Sequence, residues 1–197
     1  MAESGRTSRA SLVEAATEWL GLKPDELSLV GLLFLGFFFT VGAISTGRTL
    51  RDSLFLAHFD KGSLSWVYLL QALVVASVSL GYARVADLVR KDRMAAGCAA
   101  LFAMVLIAIF FGLPHAGAPL IAVLYVFVEV LASLSVIQFW NLAGELFTPR
   151  EAKRLFGLVG AGGTISATLM GVVQGAWARN WGSASLLILC SGLILTT

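Results

Sequence analysis

The stretch LYVFVEVLASLSVIQFW (Leu124–Trp140) decides what kind of fold this chain adopts. It holds one side chain charged at neutral pH, Glu129, in an apolar run that extends from about Ala118 to Asn141. Crossing the roughly 30 Å hydrocarbon core of a bilayer takes about 20 such residues at 1.5 Å each. The run meets that length, so it reads as a transmembrane helix with a carboxylate inside it.

The same ruler, moved outward, finds five more segments. They run from about Leu27 to Gly47, Leu64 to Ala86, Met94 to Leu113 and Leu155 to Ala178, and the last starts near Ser183. Composition agrees: 58% of the residues are apolar and 13% charged, against roughly 45–50% and about 25% in a soluble domain. So few charges cannot clothe that much apolar surface in water, and lipid is the solvent the sequence fits. The expected fold class is all-α, a six-transmembrane-helix bundle occupying residues 27–197, preceded by a cytoplasmic segment, 1–26. Within that segment Ser8 to Gly21 reads as a short amphipathic helix, with Leu12, Val13, Ala16 and Leu20 on one face and Gly21 with Pro24 as its stop. The polar start, with Glu3, Glu14 and Glu18 and no small-residue cleavage site after the first apolar run, does not read as a signal peptide. The sixth segment has 15 residues up to Thr197, short for a span, so the chain is expected to be part of a longer protein.

A net charge of +2 gives no footing for nucleic acid as a partner. The placement of the 14 basic residues is more telling. With the N-terminus in the cytoplasm, ten lie on that side: Arg6, Arg9, Lys23, Arg84, Arg90, Lys91, Arg93, Arg150, Lys153 and Arg154. Four lie opposite: Arg48, Arg51, Lys61 and Arg179. Cytoplasmic loops collect Lys and Arg, so the N-in orientation is expected. Twelve-helix carriers are built from two six-helix repeats, and this chain then reads as an N-terminal half.

Ionisable groups in a span are expensive, about 2.5–3.5 kcal/mol each on insertion scales, and mark a functional interior by default. Tyr125, Ser133 and Trp140 fall within about 40° of Glu129 around a helix of 3.6 residues per turn, which makes a polar and aromatic stripe. The first span keeps helical periodicity into STGRTLRDSLFLAH, Ser45–His58. There Arg48 and Asp52 are four apart and spaced to pair, and Arg51 lies on a neighbouring face, positioned to look into a cavity. Gly163, Ala167, Gly171 and Gly175 form a ladder of small residues in the fifth span, the kind that lets another helix come close. It fits neither a dinucleotide fingerprint nor a P-loop. Cys98 and Cys190 read as packed thiols, and His58, Asp60 and His115 as solvated groups. Neither a metal set nor a nucleophile–base constellation is spaced anywhere, so the chain does not read as an enzyme, and no cofactor is implied.

The second-to-third loop, YARVADLVRKDRM (Tyr82–Met94), is similar to a signature of the major facilitator superfamily, with Asp87 and Arg93 in matching places. FWNLAGELFTPREAKRLFGLVGAGG (Phe139–Gly163) resembles nucleotide transporters of the ATP/ADP translocase type, through Phe139–Trp140, Glu151–Ala152–Lys153–Arg154, Phe156, Gly160 and Gly162. TLRDSLFL (Thr49–Leu56) looks like that family's Leu-Lys-Asp-Ser/Thr-Leu-Val-Val segment, with Arg51 where the family has Lys. The resemblance implies the N-terminal half of a major-facilitator-type twelve-helix carrier in a bacterial inner membrane. Its substrate would be a nucleotide or another phosphorylated anion, moved by ATP/ADP-type exchange. Arg51, Glu129, Tyr125, Ser133 and Trp140 are then the candidate substrate-binding residues. Arg48, Asp52, Asp87, Arg93, Glu151, Lys153 and Arg154 are the candidate gating or salt-bridge residues. The expected partners are the lipid bilayer, the anion, and either a C-terminal six-helix half or a soluble module. Similar domains joined to soluble modules keep a second class open, a membrane sensor or scaffold that transports nothing.

Overall fold

Six α-helices account for most of the described residues. The computed structural model describes residues 24–60, 62, 64–86, 90–113 and 117–196. In order they are α1 (Pro24–His58), α2 (Leu64–Ala86), α3 (Lys91–Gly112), α4 (Ala118–Leu146), α5 (Pro149–Trp181), a single 3-10 turn (Ser183–Ser185) and α6 (Leu186–Leu195). The amphipathic segment expected before α1 lies outside the described residues, as do Asp87, Lys61 and His115.

Helices α1 to α5 are long and apolar enough to cross a membrane, the architecture of a multi-pass membrane protein. The second span begins and ends where hydropathy put it. The first, fourth and fifth are longer, because a helix keeps its own hydrogen bonds beyond the apolar stretch that hydropathy measures. Proline opens α1, and proline also sits in the first turn of α4 and α5, where its missing N–H would have had no helical acceptor. At α5 a capping box completes the start: the Glu151 carboxylate accepts from Thr148 N at 2.9 Å while the Thr148 hydroxyl accepts from Glu151 N at 3.5 Å. Gly182, at φ 80°, ends α5 in a conformation that only glycine adopts without strain. The sixth segment is short, as its sequence indicates: a 3-10 turn followed by ten helical residues, about 15 Å of helix.

Helix α1 lies at the centre, packed against α4, α5 and α6, whereas α2 touches chiefly α4 and buries no residue. Three apolar clusters mark the levels of the bundle. At one end Phe55 of α1 packs with Ile121 and Tyr125 of α4. In the middle Ala43 and Leu50 meet Leu106 of α3, Val128 of α4 and Cys190 of α6. At the other end Val30 and Leu33 meet Phe139 and Ala143 of α4 and Leu155 and Val159 of α5. The late part of α1 thus lies beside the early part of α4, and the reverse, so the two helices run antiparallel.

The small-residue ladder is only partly what holds α5. Gly162 and Gly163 are buried against α1: a Cβ on Gly162 would stand 2.6 Å from the Phe34 carbonyl oxygen, and one on Gly163 2.6 Å from the Phe37 ring. Ala167, Gly171 and Gly175 point away from the bundle. The buried face of α5 continues instead through Ser166, Met170 and Gln174, because Gly162 shares the seam with Gly163 and turns the face by one position.

Gly162→Ala should therefore destabilise the protein by about 1–3 kcal/mol, the usual cost of overpacking. Gly171→Ala, with open space around it, should stabilise the helix by up to about 1 kcal/mol. Unfolding of the purified variants in mixed micelles reads the opposite signs.

Candidate functional site

The late part of α1 and the early part of α4, both within candidate membrane spans, bring the charged residues together. Glu129 is eleven residues into the 29-residue α4, about 5 Å from the helix midpoint at 1.5 Å per residue. A carboxylate there must be compensated. Arg48 supplies two bonds, Nη2 to Oε1 at 2.6 Å and Nε to Oε2 at 3.3 Å. Arg51 supplies the third, Nη1 to Oε2 at 2.6 Å. One carboxylate thus neutralises parts of two guanidinium groups, and charge-assisted, bidentate pairs of this kind are the strong ones.

The two arginines differ in what else surrounds them. The side chain of Arg51 is 7% exposed. Its Nη1 also donates to the Tyr125 carbonyl at 3.3 Å, its Nε to Asp52 Oδ1 at 3.2 Å, and its Cζ sits 4.4 Å from the Tyr125 ring centroid. A cation over an aromatic face gains from the ring quadrupole. Phe55, 4.9 Å from Tyr125, and Phe59, stacked 4.5 Å on Phe55, extend this aromatic floor. Arg48 has no such bed: its side chain is 47% exposed, against 15% for Glu129. The pairing expected between Arg48 and Asp52 is not formed. Arg48 leans across to Glu129, and Asp52 turns to Arg51.

Of the stripe read on α4, Tyr125 and Glu129 belong to this cluster. Ser133 is half-buried one turn further along. Trp140 does not join them: it is eleven residues from Glu129, about 16 Å along the axis, and its ring packs against Phe37, Phe139 and Phe156 at 5.1, 5.4 and 5.0 Å. Among the salt-bridge candidates, Arg154 pairs with Glu26 of α1 at 2.6 Å, which ties the first turn of α1 to the second turn of α5. Glu151 serves the capping box. Arg93 and Lys153 are exposed and make no ion pair among the described residues. Lys91 and Glu145, 2.5 Å apart, tie α3 to α4 at the same end. No group of three or more His, Cys, Asp or Glu side chains able to hold a metal occurs among the described residues. Both cysteines are free, and Cys190 donates its thiol hydrogen to the Ala43 carbonyl at 3.2 Å.

Gln174, which hydropathy and motif reading passed over, fastens α5 beside the cluster. It is 4% exposed. Its Oε1 accepts from Thr49 Oγ1 at 2.8 Å, and its Nε2 donates to Ser45 Oγ at 3.2 Å and Thr46 Oγ1 at 3.1 Å. Thr49 lies between Arg48 and Arg51 in sequence, so this clip fixes the part of α1 that carries both cations. The signal was present: a primary amide inside an apolar span needs partners.

No protein-family model matches this chain, and no curated protein or solved structure matches it either.

Removing one member of a buried pair strands the other charge, whereas exposed pairs are worth about 1 kcal/mol or less. Arg51→Ala is expected to cost about 3 kcal/mol and Arg48→Ala about 1 kcal/mol or less in unfolding measurements. Equal losses would show that burial does not separate the two roles.

Proposed function

We propose that this bundle is one half of an alternating-access carrier for a nucleotide or another phosphorylated anion. The observation that carries the reading is the half-exposed Arg48 guanidinium, held by Glu129 at membrane depth. Lipid does not solvate such a group, and an interior opening to water or to substrate does. Hydroxyls on the same stretch of α1, Ser45, Thr49 and Ser53, supply further hydrogen-bonding capacity for a polar solute.

In this reading the two arginines divide the work. Arg48 is the cation that meets the phosphate, because its planar fork matches phosphate oxygens bidentately and only Glu129 has to be displaced from it. Arg51, which the family-like segment had suggested for that contact, acts instead as a positioning residue that holds Glu129 and the Tyr125 end of α4. Substrate oxygens would take the place of the Glu129 carboxylate on Arg48 and release it to Arg51 alone. The change breaks one of the two ion pairs between α1 and α4, the kind of local charge exchange that biases a rocking bundle. The cytoplasmic placement of the N-terminus rests on the basic residues of the loops, and residence in a bacterial inner membrane on the resemblance alone.

The test is uptake of radiolabelled ATP and ADP by proteoliposomes holding the protein expressed from its own gene. Arg48→Ala and Glu129→Gln are each expected to lower uptake at least tenfold, and Trp140→Phe to leave it within about twofold. Uptake absent from the unaltered protein, or untouched by Arg48→Ala, contradicts the reading.

A further inference from the structure

Helices α2 and α3 turn long apolar faces outward. Leu69, Leu73 and Leu80 stand exposed along α2, and Leu101, Met104 and Ile107 along α3. The same kinds of side chain close both faces. On α2, exposed Trp66 lies near the start and exposed Arg84 near the end; on α3, exposed Arg93 lies near the start and exposed Phe111 near the end. The separation is eighteen positions in each helix, with no charged residue between. That is about 27 Å of helix, close to the roughly 30 Å of a bilayer's hydrocarbon.

The ring-bearing ends lie at one level. Leu64 and Val67, which flank Trp66, pack with Phe55 and Ile121. Gly112, next to Phe111, faces Leu120, its Cβ position 3.7 Å from Cδ2. A third ring comes from α5. Helices α1 and α5 run in the same direction, Gly162 beside Phe34 and Gln174 beside Thr46. Exposed Trp181, two turns past Gln174, thus stands near the level of Phe55. Midway along, the seam between α2 and α4 is an open groove of about 450 Å³, and every side chain lining it is apolar, Val74 and Phe127 among them.

Exposed apolar area on this scale marks a contact with protein or with membrane. A protein partner covers a patch; a slab of hydrocarbon cuts two antiparallel helices at the same two levels. We propose that the outward faces of α2 and α3 lie against phospholipid acyl chains, with Trp66, Phe111 and Trp181 at one headgroup boundary and Arg84 and Arg93 at the other. Indole rings favour the headgroup level, and arginines near helix ends reach it through their apolar stems. The mid-plane then crosses α2 at Val75 and α3 at Phe102. The Phe102 ring is 5.8 Å from Phe127, and Glu129 lies two positions further along α4, about 3 Å. The carboxylate shared by Arg48 and Arg51 is therefore close to the middle of the bilayer, while the first turns of α1 and α5 extend past the slab on the basic side. This placement rests on the membrane architecture and not on the solute assigned to the cluster.

The test uses the protein expressed from its own gene, carrying Cys98→Ala and reconstituted in phosphatidylcholine vesicles; Cys190 is buried and stays. Nitroxide labels are attached one at a time to Leu73→Cys, Leu101→Cys, Arg84→Cys and Arg93→Cys, all at exposed positions outside the core. Collisions with dioxygen, which concentrates in hydrocarbon, are compared with collisions with a water-soluble nickel chelate. The oxygen-to-nickel ratio should be at least tenfold higher at Leu73 and Leu101 than at Arg84 and Arg93, and should fall again at Trp66→Cys and Phe111→Cys. Three results would each overturn the proposal: equal ratios along both helices, nickel access at Leu73 or Leu101 as high as at Arg93, or spin–spin broadening at Leu73 that vanishes on dilution with unlabelled protein, the mark of a second copy. None of these readings depends on uptake, so this placement and the carrier reading fail separately.

Discussion

One carboxylate shared by two guanidinium groups, between two helices long and apolar enough to cross a membrane, is the constraint around which the bundle is arranged. A lone Glu129 in an apolar span would cost several kcal/mol. Two arginines from α1 meet that cost only if α1 and α4 are held at a fixed height and rotation. Both conditions are built in. Phe55 and Tyr125 lock the helices at one end, the Val30–Phe139–Val159 cluster locks them at the other, and Gly162 with Gly163 lets α5 press directly on the α1 backbone. The Gln174 clip then fixes Thr49 between the two cations.

The cluster holds two positive and two negative side chains once Asp52 is included, so it is balanced as a group. It is not balanced residue by residue. Arg51 is buried and bonded on several sides. Arg48 has one counter-ion and an open flank. An ion cluster meant only to staple helices gains nothing from leaving one cation half exposed. A cluster that trades a carboxylate for a solute's oxygens requires it. That asymmetry, rather than the presence of charge, is the physical basis for reading a carrier here.

Much of this was legible in the sequence. Span positions follow from hydropathy because the solvent, not the partner helix, selects apolar residues on most faces. Glu129 stood out because nothing else in its span is charged. The periodicity through Ser45–His58 already carried α1 past its apolar run, but other helix ends were less legible: α5 starts at Pro149 rather than Leu155. Thr148–Glu151, with proline between, is a helix-start signal that a hydropathy ruler ignores. Pairing was least legible. Arg48 with Asp52 is the pair that spacing along one helix suggests, but a carboxylate 81 positions away on α4 wins, and only the packing of the two helices brings it there. The same applies to the seam of α5. A count of small residues at intervals of four chose a ladder through Gly171 and Gly175, whereas the buried face runs through Ser166, Met170 and Gln174.

The central claim is that Glu129 and a phosphorylated anion compete for Arg48. Equilibrium binding of radiolabelled ADP to the purified protein, compared with Glu129→Gln, addresses it most directly. Freeing Arg48 from its counter-ion should tighten binding about tenfold, equivalent to about 1.4 kcal/mol, and the gain should vanish in the Arg48→Ala, Glu129→Gln double variant. Binding that weakens or stays the same in Glu129→Gln would mean that Glu129 holds the helices together and does not stand in for the solute.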